Sequence, residues 1–165
     1  MKFDASIVKT RFDNTLGPMT LAATDHGLAG VWFDDQRHRP DYAQWPEQPG
    51  HPVLREAVRQ LRQYMAGERL DFDLPLDLHG GTPFQRSVWQ ALLQIPCGST
   101  TSYGAIGQRL GKPKAVRAVG AAVGRNPVSI IVPCHRVIGS NGSLTGYAGG
   151  LHRKQALLKI ETSPE

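Results

Sequence analysis

Residues 130–139 read Ile-Ile-Val-Pro-Cys-His-Arg-Val-Ile-Gly, and this run limits the fold more than any other. Three β-branched residues in succession, Ile130, Ile131 and Val132, suit a buried strand, and Pro133 ends it because proline has no amide hydrogen for a ladder. A cysteine, Cys134, is thereby brought to the place where regular structure stops. His135 follows as a base and Arg136 as a fixed positive charge, a setting that favours thiolate. The plainer reading is a buried structural cysteine beside a surface histidine, since catalytic partners usually meet in space and not in sequence. The surroundings of the pair decide between the two.

Charge is the first of those surroundings. Residues 1–79 carry nine Lys/Arg and twelve Asp/Glu, a balance of −3, whereas residues 80–165 carry ten and two, a balance of +8. From Gly80 to Ile160 there is no acidic residue. Solubility alone gives no reason to exclude acids from half a chain while enriching the other half in them, so the second half is expected to face phosphates. Cys97 and Cys134 are the only cysteines and neither belongs to a CxxC pair, so free thiols are expected, with no disulfide framework and no cysteine-rich zinc site. No apolar run approaches bilayer length, and the start, Met-Lys-Phe-Asp-Ala-Ser, lacks the apolar segment of a signal peptide. The expectation is a soluble, cytoplasmic protein with no membrane partner, and 165 residues suffice for one good core or two small ones sharing an interface.

The first half divides into β-type runs around residues 7–12, 19–24 and 28–33, separated by Leu16-Gly17-Pro18 and Asp25-His26-Gly27, as in an antiparallel meander with tight turns. Residues 34–51 are polar and proline-rich and read as a long loop. Leu54, Ala57, Val58, Leu61, Tyr64 and Met65 recur at helical spacing up to a stop at Gly67. Residues 70–78 alternate apolar and acidic side chains, which predicts a strand with one wet face. His26, His38, His51 and His79 are scattered singly, and this half offers no chemistry of its own.

Gly80-Gly81 marks a boundary between units 1–79 and 80–165. Beyond it Thr82, Pro83 and Gln85 form a capping-box start for a helix carrying Phe84, Val88, Ala91, Leu92 and Ile95, and Cys97 in the following turn is a small packed thiol. Thr101-Ser102 caps a short helix over residues 103–110, and a second runs over 114–124 after Gly111-Lys112-Pro113. Helix, short turn, helix is the helix-turn-helix pattern, with an ordinary helical hairpin as the alternative. Val116, Val119 and Val123 share one face of the later helix, while Arg117, Gly120, Ala121 and Gly124 form another that is nearly bare of bulk and suits close approach to a partner. Ser140-Asn141-Gly142 reads as a hairpin turn, residues 145–150 as a glycine-rich loop, and a last helix begins near Leu151. That helix carries Glu161, the leading candidate to orient His135, because Glu165 is the only other carboxylate side chain after Asp77.

Taken together, Pro133-Cys134-His135-Arg136, Arg117-Ala118-Val119-Gly120, Asn126-Pro127, Ser102-Tyr103-Gly104 and Gly146-Tyr147-Ala148-Gly149-Gly150-Leu151 resemble the O6-alkylguanine-DNA alkyltransferases, in order and in spacing. The resemblance is strong over residues 82–161 and general before that. It implies an α+β protein: a small N-terminal antiparallel sheet with a helix, ribonuclease H-like, and a mainly helical C-terminal domain holding the helix-turn-helix and the cysteine. It also implies DNA repair by direct reversal, in which an alkyl group moves irreversibly from O6-alkylguanine, or O4-alkylthymine, in double-stranded DNA to Cys134.

By the same resemblance His135 deprotonates Cys134 through a water, Glu161 holds the imidazole tautomer, Tyr103 hydrogen-bonds N3 of the flipped guanine, and Asn126 holds the active-site turn. Arg117 fills the vacated place in a helix that enters the minor groove, with Ala118, Gly120, Ala121, Gly124, Arg125 and Arg136 also facing DNA. Carbonyls of Cys134 and Val137, the amide of Ala148, and Tyr147 and Gly149 surround the base. No cofactor and no metal are expected, and the protein is expected to act as a monomer, with cooperativity along DNA left open. A non-catalytic sensor of alkylated bases is the alternative, which Cys134 argues against; a Cys-His hydrolase leaves the acid-free half unexplained.

Overall fold

The structure, a computed structural model, describes residues 1–162. Strands β1 (Val8–Phe12), β2 (Met19–Thr24) and β3 (Gly27–Phe33) form an antiparallel sheet in that order. Alternation along β3, reset once where Ala29 bulges between the Leu28–Ala23 and Gly30–Ala22 pairs, sends Leu28, Val31 and Phe33 into the main core and Ala29 and Trp32 to the opposite face. Helix α1 (Pro52–Met65) buries Leu54, Ala57, Leu61 and Tyr64 in that core, while Phe3, Tyr42 and Trp45 cover Trp32 on the other side. The meander and helix expected for this half are thus present.

Residues 70–78 do not form the expected strand. Leu28 N donates to Pro75 O at 2.8 Å and Asp77 N to Leu28 O at 2.8 Å, a single bridge between Leu28 and Leu76. Pro75 cannot donate to a ladder, and Leu70 stays 60% exposed, so the alternation has no sheet to extend along.

In the second half, α2 (Pro83–Leu92) starts with both capping-box bonds in place, Thr82 accepting from Gln85 N and Gln85 from Thr82 N. It stops at Leu92, short of Ile95, in a run of turns. Strand β4 (Thr101–Ser102) pairs in parallel with β5 (Val137–Ile138); after β5 the expected tight turn at Ser140-Asn141-Gly142 is present, with Gly142 N donating to Gly139 O and Gly139 N to Ser143 O, both at 2.9 Å, but no strand follows it to complete a hairpin. Helices α3 (Tyr103–Arg109) and α4 (Val116–Gly124) form the expected helix-turn-helix, and the Trp89 indole donates to Ala122 O at 2.8 Å to lock α2 against α4. A single 3-10 turn, Cys134–Arg136, precedes β5, and α5 (Leu151–Thr162) ends the described chain. No helix among the described residues is long and apolar enough to cross a membrane.

The run at 130–132 differs most from expectation. Only Val128 pairs with the first sheet, where Val31 N donates to Pro127 O at 2.8 Å and Ser129 N to Val31 O at 3.1 Å. The chain then turns, and Ile130 takes a positive φ of 73°. A β-branched residue adopts that conformation only where its surroundings over-determine it, at a cost of about 1–3 kcal/mol. Burial of Ile130, Ile131 and Val132 against the shared core supplies the constraint.

Candidate active site and DNA-facing surface

Asn126 makes the turn below the cysteine possible. Its side-chain amide donates to Val132 O at 2.8 Å and its carbonyl oxygen accepts from Val128 N at 2.9 Å, so one buried side chain replaces the ladder that a strand would have supplied. Asn126→Ala leaves Val128 N unpaired in the interior and strips Val132 O of one of its two donors, the other being Cys134 N at 2.8 Å, and should lower unfolding stability by about 1–3 kcal/mol. A denaturant titration reads this as a large fall in midpoint; an unchanged midpoint would contradict the bridging role.

Cys134 is 6% exposed and sits on a cavity of about 210 Å³ lined also by Tyr103, Gly120, Val123, Gly124, Tyr147 and Ala148. Burial pushes its thiol up to about 11, against the opposing effects of the Asn126 side chain and the Lys154 charge. At neutral pH it is therefore a thiol that needs a base. His135 is fully buried, and its Nε2 lies 2.6 Å from Glu161 Oε2, while Nδ1 has no hydrogen-bond partner. Burial lowers the imidazole below its usual range, with Glu161 pulling the other way and the Arg136 and Lys154 charges adding to the lowering. Burial also raises the Glu161 carboxyl, but the hydrogen bonds from His135, Arg136 and Tyr64 prevail and hold it at about 2. An anionic Glu161 puts the imidazole proton on Nε2 and leaves Nδ1 as the basic nitrogen.

Arg136, expected on the DNA-facing surface, lies inside the protein instead. It is 7% exposed, donates from Nε to Glu161 Oε1 at 2.8 Å and from Nη2 to Oε2 at 2.9 Å, and reaches Ile95 O at 2.6 Å through Nη1. Glu161 neutralises it, so the charge acting on the thiol is Lys154 instead. That lysine is fully buried and is held by the carbonyls of Val137, at 2.5 Å, and Thr145, at 3.0 Å.

The other expected residues divide between two surfaces. Arg117, Ala118, Ala121 and Arg125 are exposed on or beside α4, and Gly120 and Gly124 line the cavity below them. A Cβ at Gly124 would meet nothing within 4 Å and one at Gly120 only the Tyr103 ring at 3.8 Å, so internal packing does not require glycine at either place. Small size here leaves room for something outside the protein. Tyr147 and Ala148 line the cavity, and the Tyr147 hydroxyl is buried without a hydrogen-bond partner. Gly149 is a packing residue: it is buried, and a Cβ there would stand 3.0 Å from the Phe33 ring. Val137 offers its carbonyl to Lys154 and is not part of the cavity wall.

Several residues of the first half take part, contrary to the expectation that it has no chemistry. Arg37 and His38 line the cavity, and Arg37 N donates to Ala148 O at 3.0 Å. Arg153 stacks 4.1 Å over Phe33 and donates to Leu16 O at 2.7 Å and to Gly149 O at 3.1 Å, fastening the glycine-rich loop to the sheet. Tyr64 of α1 donates to Glu161 Oε2 at 2.6 Å. His26 and His79, scattered in sequence, bring their rings to 6.1 Å, each beside its own aspartate, Asp4 at 3.4 Å and Asp77 at 2.9 Å. Among the described residues no group of three or more His, Cys, Asp or Glu is placed to hold a metal ion.

Known proteins match this chain over both halves. Residues 83–163 match the family described as 6-O-methylguanine DNA methyltransferase, DNA binding domain, and residues 7–78 match its ribonuclease-like domain. The methylated-DNA–protein-cysteine methyltransferase of Mycobacterium tuberculosis strain H37Rv is 51% identical over 151 residues, 92% of this chain and 90% of that one. The protein of the same name from Methanosarcina acetivorans is 51% identical over 92% of this chain and 96% of its own length. The crystal structure of the M. tuberculosis O6-methylguanine methyltransferase superposes with a TM-score of 0.86 at 49% identity, covering 95% of this chain and 93% of that one, and its complex with DNA superposes at 0.84. This chain belongs to the 6-O-methylguanine DNA methyltransferase family.

Proposed function

We propose that the chain repairs alkylated DNA by direct reversal, with Cys134 as the acceptor of the alkyl group. The observation that carries this is a buried cysteine on a cavity beside the bare face of α4, backed by a histidine whose Nε2 is held 2.6 Å from Glu161. The thiol proton passes through a water to Nδ1 of His135, the ring nitrogen without a partner. Thiolate sulfur then attacks the alkyl carbon on O6; the carbon–sulfur bond forms as the carbon–oxygen bond breaks, and the electron pair leaves with the guanine. Tyr103, whose hydroxyl accepts from Thr145 at 3.2 Å, donates to N3 of the base and eases its departure. The product is a thioether, which no group in the cavity is equipped to hydrolyse, so each molecule acts once.

The target base is extruded from the duplex, at a cost of a few kcal/mol. Arg117 projects from α4 into the place it vacates, while Ala118, Gly120, Ala121 and Gly124 let the helix approach a narrow groove and Arg125 meets phosphate. The same proposal divides the labour between residues 1–79, which support the site, and 80–165, which carry DNA binding and transfer. It also sets the protein in the reducing cytosol, because Cys134 accepts an alkyl group only as a free thiol.

With duplex carrying O6-methylguanine in excess, repair should stop at one base per protein molecule. Binding should weaken steeply as salt rises, with little dependence on sequence. Continued turnover, or binding insensitive to salt, would contradict the reading.

A further inference from the structure

Among the described residues Glu161 is the only carboxylate that His135 contacts, yet its second oxygen serves three donors at once. Oε2 accepts from His135 Nε2 at 2.6 Å, from Arg136 Nη2 at 2.9 Å and from the Tyr64 hydroxyl at 2.6 Å. The phenol comes from α1, in the other half of the chain and 97 residues away in sequence, and both of its ends are buried. Aromatic packing does not need that hydroxyl: the ring is already held against Phe72, with centroids 5.4 Å apart. A buried phenol aimed at the one oxygen that grips the imidazole has a chemical consequence as well as a structural one.

Resting on the relay of Cys134, His135 and Glu161 proposed above, we infer that Tyr64 is a positioning residue for alkyl transfer: its hydroxyl keeps Oε2 a fixed and weakly basic acceptor, so that His135 holds its proton on Nε2 and offers Nδ1 to the thiol. Each hydrogen bond donated to Oε2 draws charge from it and weakens the pull it exerts on an imidazolium. Without Tyr64 the carboxylate is a stronger base toward His135, and the protonated ring, which cannot accept the thiol proton, persists to higher pH. The remaining charged and titratable groups around this pair include Arg136 from the 3-10 turn, Lys154 from α5, Cys134, Tyr147 from the glycine-rich loop, and Cys97 from the turn after α2, which burial pushes up. Arg136 already holds Oε1, so Tyr64 is the donor whose removal leaves the ion pair standing.

The test is the pH profile of single-turnover transfer from O6-methylguanine duplex, with the ring nitrogen NMR shifts of His135 followed in parallel. In Tyr64→Phe the acid-side inflection should move up by about half a pH unit or more, with the rate at high pH retained and one methyl still accepted per molecule. Tyrosine fluorinated beside its hydroxyl, placed at position 64, strengthens the donor almost without changing its shape and should move the inflection down. It also carries the test alone if the phenylalanine variant does not fold. A rate loss equal at every pH, or an unmoved inflection with either substitution, would overturn the inference. If His135→Gln transfers at the parent rate, the relay itself is overturned and the role of Tyr64 with it, a result that the Tyr64 variants alone do not produce.

Discussion

Cys134→Ser should abolish alkyl transfer while leaving duplex binding in place. The substitution exchanges one atom on the cavity and removes the only nucleophile there that His135 is placed to activate. The thiol already stands at about 11 because it is buried, so its ionisation depends on the base beside it. A hydroxyl at the same depth is a much weaker acid and a poorer nucleophile toward saturated carbon, and the loss of rate should be on the order of a thousandfold or more. Binding should persist because Arg117, Ala118, Ala121 and Arg125 are exposed on another surface. Loss of methyl from labelled duplex measures the first quantity and fluorescence anisotropy the second. Transfer retained by Cys134→Ser would move the chemistry to Cys97, which is half-buried in a turn, away from the cavity.

Arg117→Ala should divide the substrates. In duplex DNA a flipped base leaves a gap whose stacking must be compensated, and with Arg117 proposed to fill it, loss of that side chain should cost a tenfold or larger part of the rate, roughly 1–2 kcal/mol out of the few that flipping demands. A free O6-alkylguanine analogue needs no flipping, so its reaction with Cys134 should be unchanged. Comparing single-turnover rates on the two substrates separates these cases; equal losses on both would show that Arg117 supports the fold of α4 and not the extrusion.

Much of this site can be read from sequence because it rests on local rules. Thr82, Pro83 and Gln85 announce the start of α2, Ser102 accepts from Ala105 N to cap α3, and the bare face of α4 follows from helical spacing alone. Glu161 could be chosen for His135 because few carboxylates were available. Where sequence failed, long-range packing had overruled a local pattern. Ile130, Ile131 and Val132 suit a strand by composition, yet Asn126 supplies the hydrogen bonds a ladder would have made and the chain turns through a left-handed Ile130. Arg136 reads as a DNA-facing residue because nothing in a sequence tells an exposed guanidinium from one buried on Glu161.

The partners supplied by the first half were hidden for a related reason. Tyr64 belongs to the apolar stripe of α1, where its ring is accounted for by core packing and its hydroxyl leaves no periodic mark. Arg37 and His38 lie in a proline-rich loop with no regular spacing, and only the folding of that loop against Ala148 brings them to the cavity. Lys154 reads as one more basic residue on a helix until its ammonium is found inside, held by Val137 and Thr145 carbonyls. The core that joins β3 to residues 128–132 makes the two halves one support for a single cysteine.

The most direct test of that account is the mass of the peptide containing Cys134 after incubation with duplex DNA bearing O6-methylguanine. One added methyl group is expected on Cys134, none on Cys97, with a matching loss from the DNA; an unmodified Cys134 peptide from protein that has repaired its substrate would show that Cys134 is not the acceptor.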